Sequence, residues 1–156
     1  MSTVAYRLQT LGLTLPAAPK PVAAYIPAVR TGNLIYISGQ IPFNNGSLAP
    51  EVLGPVPSKV PVDRAREAAR QCVLNALAAL ADQIEGDLER VQRIVRLGVF
   101  VCSDAGFTEQ PKVANGASEL LVELFGENGR HARAAVGSIA LPLGVCVEVE
   151  MIAEVK

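Results

Sequence analysis

The strongest rhythm in this chain is a three-to-four-residue apolar repeat that follows Asp63. Ala65, Ala69, Cys72, Val73, Ala76, Leu77, Leu80 and Ile84 recur at helical spacing, which places them along one stripe of a helix of about 20 residues. Asp63 stands where an N-cap carboxylate belongs, and Gly86 where the chain leaves the helix. A second stripe, Val113, Ala117, Leu120, Leu121 and Leu124, predicts another helix, capped by Thr108, with Pro111 in its first turn and Gly126 as its stop. Residues 2–11 repeat the pattern on a smaller scale. Val4, Ala5, Leu8 and Leu11 predict an N-terminal helix capped by Ser2 or Thr3 and ended by Gly12.

Between the helices the period drops to two or disappears. Two β-rich runs surround Thr31-Gly32-Asn33 and read as a hairpin. From Ile94 to Cys102 the chain is almost wholly apolar, the mark of a central strand covered on both faces. Two further strands, 133–140 and 145–155, follow the second helix and are joined by a Leu-Pro-Leu-Gly turn. The last alternates strictly. Val145, Val147, Val149 and Met151 point one way, and Glu148, Glu150 and Glu154 the other. Four prolines between Pro16 and Pro27 make that segment an extended arm, and the Gly-, Pro- and Asn-rich stretch 43–62 reads as a loop.

The order after the N-terminal helix is therefore ββαβαββ, an α+β arrangement. Two amphipathic helices cover one face of a sheet of four or five strands. The other face, to which the pattern assigns Ile94, Phe100, Cys102 and Ile152 beside the glutamates, needs cover of its own. A second copy of the chain is the simplest cover.

Composition narrows the picture. At 156 residues the chain reads as a single domain, 1–156, with 1–21 as an N-terminal extension. Half of it is apolar but only 4% aromatic, without Trp, so the core is built of Val, Leu, Ile and Ala. A net charge of −1 with no basic run gives no attraction to nucleic acid or anionic lipid. No signal-peptide pattern and no apolar run of ~18 residues is present, which predicts a cytoplasmic protein without membrane association. Cys72, Cys102 and Cys146 lack metal-like spacing and read as buried small hydrophobes.

Candidate chemistry gathers at the C-terminal strands. A buried glutamate at 148 or 150 requires an arginine partner, a ligand or a raised pKa. Arg133 is either that partner, in a structural ion pair, or a two-point clamp for a substrate carboxylate. His131 has the right intrinsic pKa for a general base, but its Gly/Asn-rich surroundings favour a solvated side chain.

Three blocks, "NLIYISGQIP" (33–42), "RLGVFVCSD" (96–104) and "RAAVGSIALPLGVCVEVEMIAEV" (133–155), resemble the signature blocks of the RidA/YjgF family of reactive-intermediate deaminases. The resemblance spans residues 22–156. It implies a chorismate-mutase-like two-layer α+β fold, a mixed sheet with two helices packed on one face, assembled as a homotrimer with its sites in clefts between subunits. It further implies hydrolysis of small imines or enamines of the 2-aminoacrylate type to 2-oxo acids and ammonia, with neither metal nor organic cofactor. By that resemblance Arg133 binds the substrate carboxylate and Glu148 positions the attacking water. Tyr25, Gly39 and Asn115 complete the substrate-binding set.

The family's cysteine two places after the arginine is Ala135 here, so the chemistry cannot need a thiol at that point. The first twenty residues and the Pro-rich loop from Asn44 to Val62 also depart from the compact family pattern. The alternative reading is a trimer that binds a small carboxylate or amino-acid-like ligand without turning it over.

Overall fold

The structure, a computed structural model, describes residues 3–20 and 23–156. Ser2, the alternative helix cap, and Pro21 of the arm lie outside the described residues. The elements run α1 (Val4–Thr10), β1 (Ala28–Thr31), β2 (Leu34–Gln40), α2 (Val62–Asp82), β3 (Val91–Cys102), α3 (Gln110–Phe125), β4 (Ala132–Ser138) and β5 (Val147–Val155). The five strands form one mixed sheet in the order β1-β2-β5-β3-β4. Neighbours are antiparallel except β3 and β4, which are parallel and joined by the α3 crossover. Although β4 and β5 follow one another in the chain, β3 lies between them in the sheet.

The helix ends depart from the sequence reading. The cap of α2 is Pro61, extended at ψ 150°, and Asp63 lies inside the first turn. There its carboxylate suits the positive end of the helix without capping it. The helix also leaves regular geometry after Asp82, before Gly86, because Glu85 and Gly86 both take positive φ. In α3 the cap position falls to Glu109 and no side chain caps it, while Pro111 does sit in the first turn. Thr3 caps α1 by accepting the Tyr6 N–H at 3.2 Å.

α2 and α3 pack on the same face of the sheet, against a core of Val, Leu, Ile and Ala. Their close approach rests on Gly116, where a β-carbon would collide with the Arg66 carbonyl. On β5, Val147, Val149, Met151, Ala153 and Val155 are buried under the helices. A register shift between Ile94 and Arg96 changes which side of the sheet β3 presents. Ile94 consequently pairs with Ala153 and is fully buried under the helices, not on the glutamate face to which strict alternation assigned it. Beyond the shift, Arg96, Gly98 and Phe100 face the same way as Ile152, Glu150 and Glu148. Val29, Tyr36 and Val136 stand exposed, and the register sets them on this same open face.

α1 is docked on the domain. Val4 and Leu8 are buried, the Val4 N–H donates to Glu89 Oε1 at 2.5 Å, and Arg7 Nη1 donates to the Leu124 carbonyl at 2.9 Å. Leu11, grouped with them by spacing, is 38% exposed, because it already lies at the C-cap. The loop before α2 is pinned to the end of β3: Asp104 accepts from both the N–H and the hydroxyl of Ser58 at 2.8 Å. No helix among the described residues is long and apolar enough to cross a membrane.

Candidate functional site

Two glycines make room for two glutamates on the open face. A β-carbon at Gly39 of β2 would overlap the Glu148 carboxylate, and one at Gly98 of β3 would lie 2.6 Å from Glu150 Oε1. The two acids nevertheless differ in circumstance. Glu150 accepts from Arg96 Nη1 at 3.1 Å, whereas Glu148 has no hydrogen-bond or ion-pair partner among the described residues. Burial raises the Glu148 pKa above the ordinary carboxylate range, and the neighbouring Glu150 charge adds to the rise. A half-buried carboxylate with a raised pKa and free oxygens is suited to hold a water and take a proton from it.

Arg133 lies elsewhere. On the edge strand β4 it pairs with Leu97, a residue of the helix-covered side, and its side chain reaches α3. Nη1 donates to Asn115 Oδ1 at 2.9 Å and to Ser118 Oγ at 3.0 Å. Both bonds use one nitrogen, so the Nε–Nη2 edge has no protein partner among the described residues. That edge presents two parallel N–H donors, the geometry that fits a carboxylate. No glutamate pairs with Arg133, so the structural ion pair weighed from the sequence does not form within the chain.

The candidate residues thus fall into two groups, Arg133 with Asn115 and Glu148 with Gly39, on opposite faces of the sheet. Tyr25 is exposed in the segment before β1. Two surface hollows of about 570 and 480 Å³ contain neither Arg133 nor Glu148. A single chain does not bring the two groups into one cavity.

His131 is not solvated as its loop composition suggests. The short turn Gly126–Gly129 folds it against α3, half-buried, with Nδ1 2.6 Å from the Gly129 carbonyl and Nε2 2.9 Å from Ser118 Oγ. Burial lowers its pKa, the Gly129 bond opposes that shift, and the Arg133 charge reinforces it. Ser118 belongs to no motif in the sequence. The available signal was its place three residues after Asn115, on the same helix face. All three cysteines are buried, and burial pushes the Cys146 thiol up to about 12, so no ready thiolate is present. No cluster of three or more metal-ligating side chains occurs among the described residues.

Residues 5–155 match the family described as "YjgF/chorismate mutase-like, putative endoribonuclease". The chain belongs to the RidA/YjgF family. It is 44% identical to Protein TCP17 of Trypanosoma cruzi over 98% of this chain and 94% of that protein. It is 28% identical to a 2-iminobutanoate/2-iminopropanoate deaminase of Dermatophagoides farinae, over 92% and 95% of the two chains. A crystal structure of an Agrobacterium tumefaciens protein of unknown function superposes with a TM-score of 0.91 at 44% identity, covering 98% of this chain and 92% of that one. The YjgF/chorismate-mutase-like fold is therefore that of the family. With the T. cruzi and A. tumefaciens proteins the match extends over 98% of the chain, which takes in most of the N-terminal extension.

Proposed function

We propose that this protein hydrolyses small imines and enamines of 2-amino acids to 2-oxo acids and ammonia, in clefts that neighbouring copies of a homotrimer build together. The observation that carries the reading is the unpaired, partly buried Glu148 carboxylate with its raised pKa, lying on a face that a single chain leaves open. A partner copy that brings the free edge of Arg133 to this face completes a site for a planar molecule with a carboxylate at one end. The deaminase activity named for the D. farinae relative supports the same substrate class.

In the cleft, Arg133 holds the substrate carboxylate through its Nε–Nη2 edge, which fixes the adjacent imine carbon over the Glu148 side. Glu148 takes a proton from water as the water oxygen bonds to that carbon and the C=N π-electrons move to nitrogen. The proton held by Glu148 and the proton of the new hydroxyl both pass to the nitrogen as the tetrahedral adduct collapses. Collapse forms C=O, breaks C–N, releases ammonia and returns Glu148 to its ionised state. An enamine enters the same step as its imine tautomer, after solvent protonates its methylene carbon and takes a proton from nitrogen. The carbon is neither oxidised nor reduced. Backbone groups at Gly39 border the water, and Tyr25 lines the cleft mouth. A ribonuclease role fits less well, because Glu148 and Glu150 repel a phosphodiester backbone.

The direct test generates 2-aminoacrylate in place with a pyridoxal-phosphate-dependent dehydratase and follows its decay. Decay accelerated by catalytic amounts of the protein is the expected result. Unchanged decay together with saturable 2-oxo acid binding leaves the non-catalytic binding protein in its place.

A further inference from the structure

Arg133 is the end of a hydrogen-bonded chain whose direction can be read from chemistry alone. A carbonyl oxygen only accepts, so the 2.6 Å contact between His131 Nδ1 and the Gly129 carbonyl puts the ring proton on Nδ1. In a neutral imidazole Nε2 is then an acceptor, and the Ser118 hydroxyl, 2.9 Å away, donates to it. With its proton committed, Ser118 Oγ turns a lone pair toward Arg133 Nη1 at 3.0 Å. Asn115 Oδ1 accepts a second proton from the same nitrogen at 2.9 Å. Two acceptors on Nη1 fix the rotation of the guanidinium plane and leave the opposite edge open.

We infer that Ser118 and His131 are positioning residues. Together with Asn115 they form a bracket that holds the Nε–Nη2 edge of Arg133 outward for the two oxygens of a carboxylate. Neither residue touches the substrate. His131 sets the donor direction of Ser118, and Ser118 sets the plane of Arg133. The low pKa of His131 agrees with a neutral ring at physiological pH. The assignment rests on the proposed function for its ligand, a 2-oxo or 2-imino acid. The bracket itself is independent of that reading.

The experiment has three parts, all on the full chain. First, nitrogen-15 NMR of the free protein reads the bracket directly: slow rotation of the Arg133 guanidinium, and an imidazole protonated at Nδ1. Ser118→Ala should speed that rotation. A freely rotating Arg133 or an Nε2-protonated ring in the wild type overturns the proposal, whatever the activity.

Second, in the imine assay Ser118→Ala and His131→Leu should each raise KM about tenfold with kcat nearly unchanged, as expected for one lost bond to a charged group. His131→Gln, whose side-chain carbonyl reaches the Nε2 position, should restore KM to within about threefold. Loss through kcat instead of KM, or failure of the Gln variant to rescue while it melts like the wild type, overturns the positioning role.

Third, pyruvate titration separates the two readings. If no imine is hydrolysed but pyruvate binds and Ser118→Ala weakens it about tenfold, the proposed function falls and the bracket stands. If the wild type neither hydrolyses imines nor binds pyruvate, the proposed function and the carboxylate assigned to the open edge of Arg133 both fall, and the bracket is decided by the NMR readout alone.

Discussion

Glu148 lies across the backbone of Gly39, in space that a β-carbon at position 39 would occupy. The glycine is there for close approach. Its neighbours in "SGQ" continue the strand that pairs with β5, and the bulge between Ile37 and Gln40 lets β2 pass under the carboxylate. The geometry of the proposed water-activating group is therefore set by a residue with no side chain.

Gly39→Ala should displace the Glu148 carboxylate while leaving the core untouched. A shift of about 1 Å in a reacting group lowers turnover by about a hundredfold, so a fall in kcat of between ten- and a hundredfold is expected. The circular-dichroism spectrum should not change. Wild-type turnover in Gly39→Ala would show that the glutamate has room to spare and that its placement is not critical.

The pH dependence of stability should have an unusual sign. The folded-state pKa of Glu148 is raised, first by burial and then by Glu150, so the folded chain binds that proton more tightly than the unfolded chain does. Stability attached to this group is present below the ordinary carboxylate pKa and is lost as pH rises through the raised one. Glu148→Gln removes the loss. The variant should be more stable than the wild type at neutral pH, with the gap closing below the ordinary carboxylate range. Activity should run the other way, since only the ionised carboxylate accepts a proton. The acid limb of the wild-type rate profile should accordingly lie above the usual glutamate range. Denaturant titrations across pH, paired with kcat/KM profiles, measure both.

What the sequence revealed follows from the range of each interaction. Apolar periodicity reports the side an element buries, so the stripes of α2 and α3 and the alternation of β5 were readable from residues such as Leu77, Leu121 and Val149. It does not report strand order. Insertion of β3 between β4 and β5 depends on the parallel crossover through α3, and the register that pairs Arg133 with Leu97 and Glu148 with Phe100 puts the two residues on opposite faces. Nor does it report bulges, and one bulge was enough to move Ile94 to the other side. The Ser118–His131 contact joins a helix to a turn across thirteen residues, and no local composition signals it.

The N-terminal helix offers a paired test of burial. Leu8 is buried against the domain and Leu11 is 38% exposed, although spacing groups them on one stripe. Leu8→Ala should lower the unfolding free energy by about 2 kcal/mol, the low end for a leucine near the surface. Leu11→Ala should change it by less than about 0.5 kcal/mol. Equal effects would mean that α1 does not dock as described.

The separation of Arg133 and Glu148 within one chain leads to a mixing experiment. Arg133→Lys keeps the charge but loses the two-point clamp, and Glu148→Gln keeps the shape but loses the proton acceptor, so each homogeneous variant should be nearly inactive. If every site takes its arginine from one copy and its glutamate from the next, a variant's defect is confined to one side of each cleft. In the proposed homotrimer, unfolding the two variants together at equal ratio and refolding them would assemble mixed trimers. A site is intact when its arginine comes from a Glu148→Gln copy and its glutamate from an Arg133→Lys copy. Random assembly gives that combination at about one site in four, so about a quarter of wild-type activity should return. Separately refolded variants, mixed afterwards without exchange, should stay inactive. If co-refolded mixtures also stay inactive while forming the same assembly as the wild type, the two residues do not meet across subunits. The cleft between copies would then not be where the chemistry occurs.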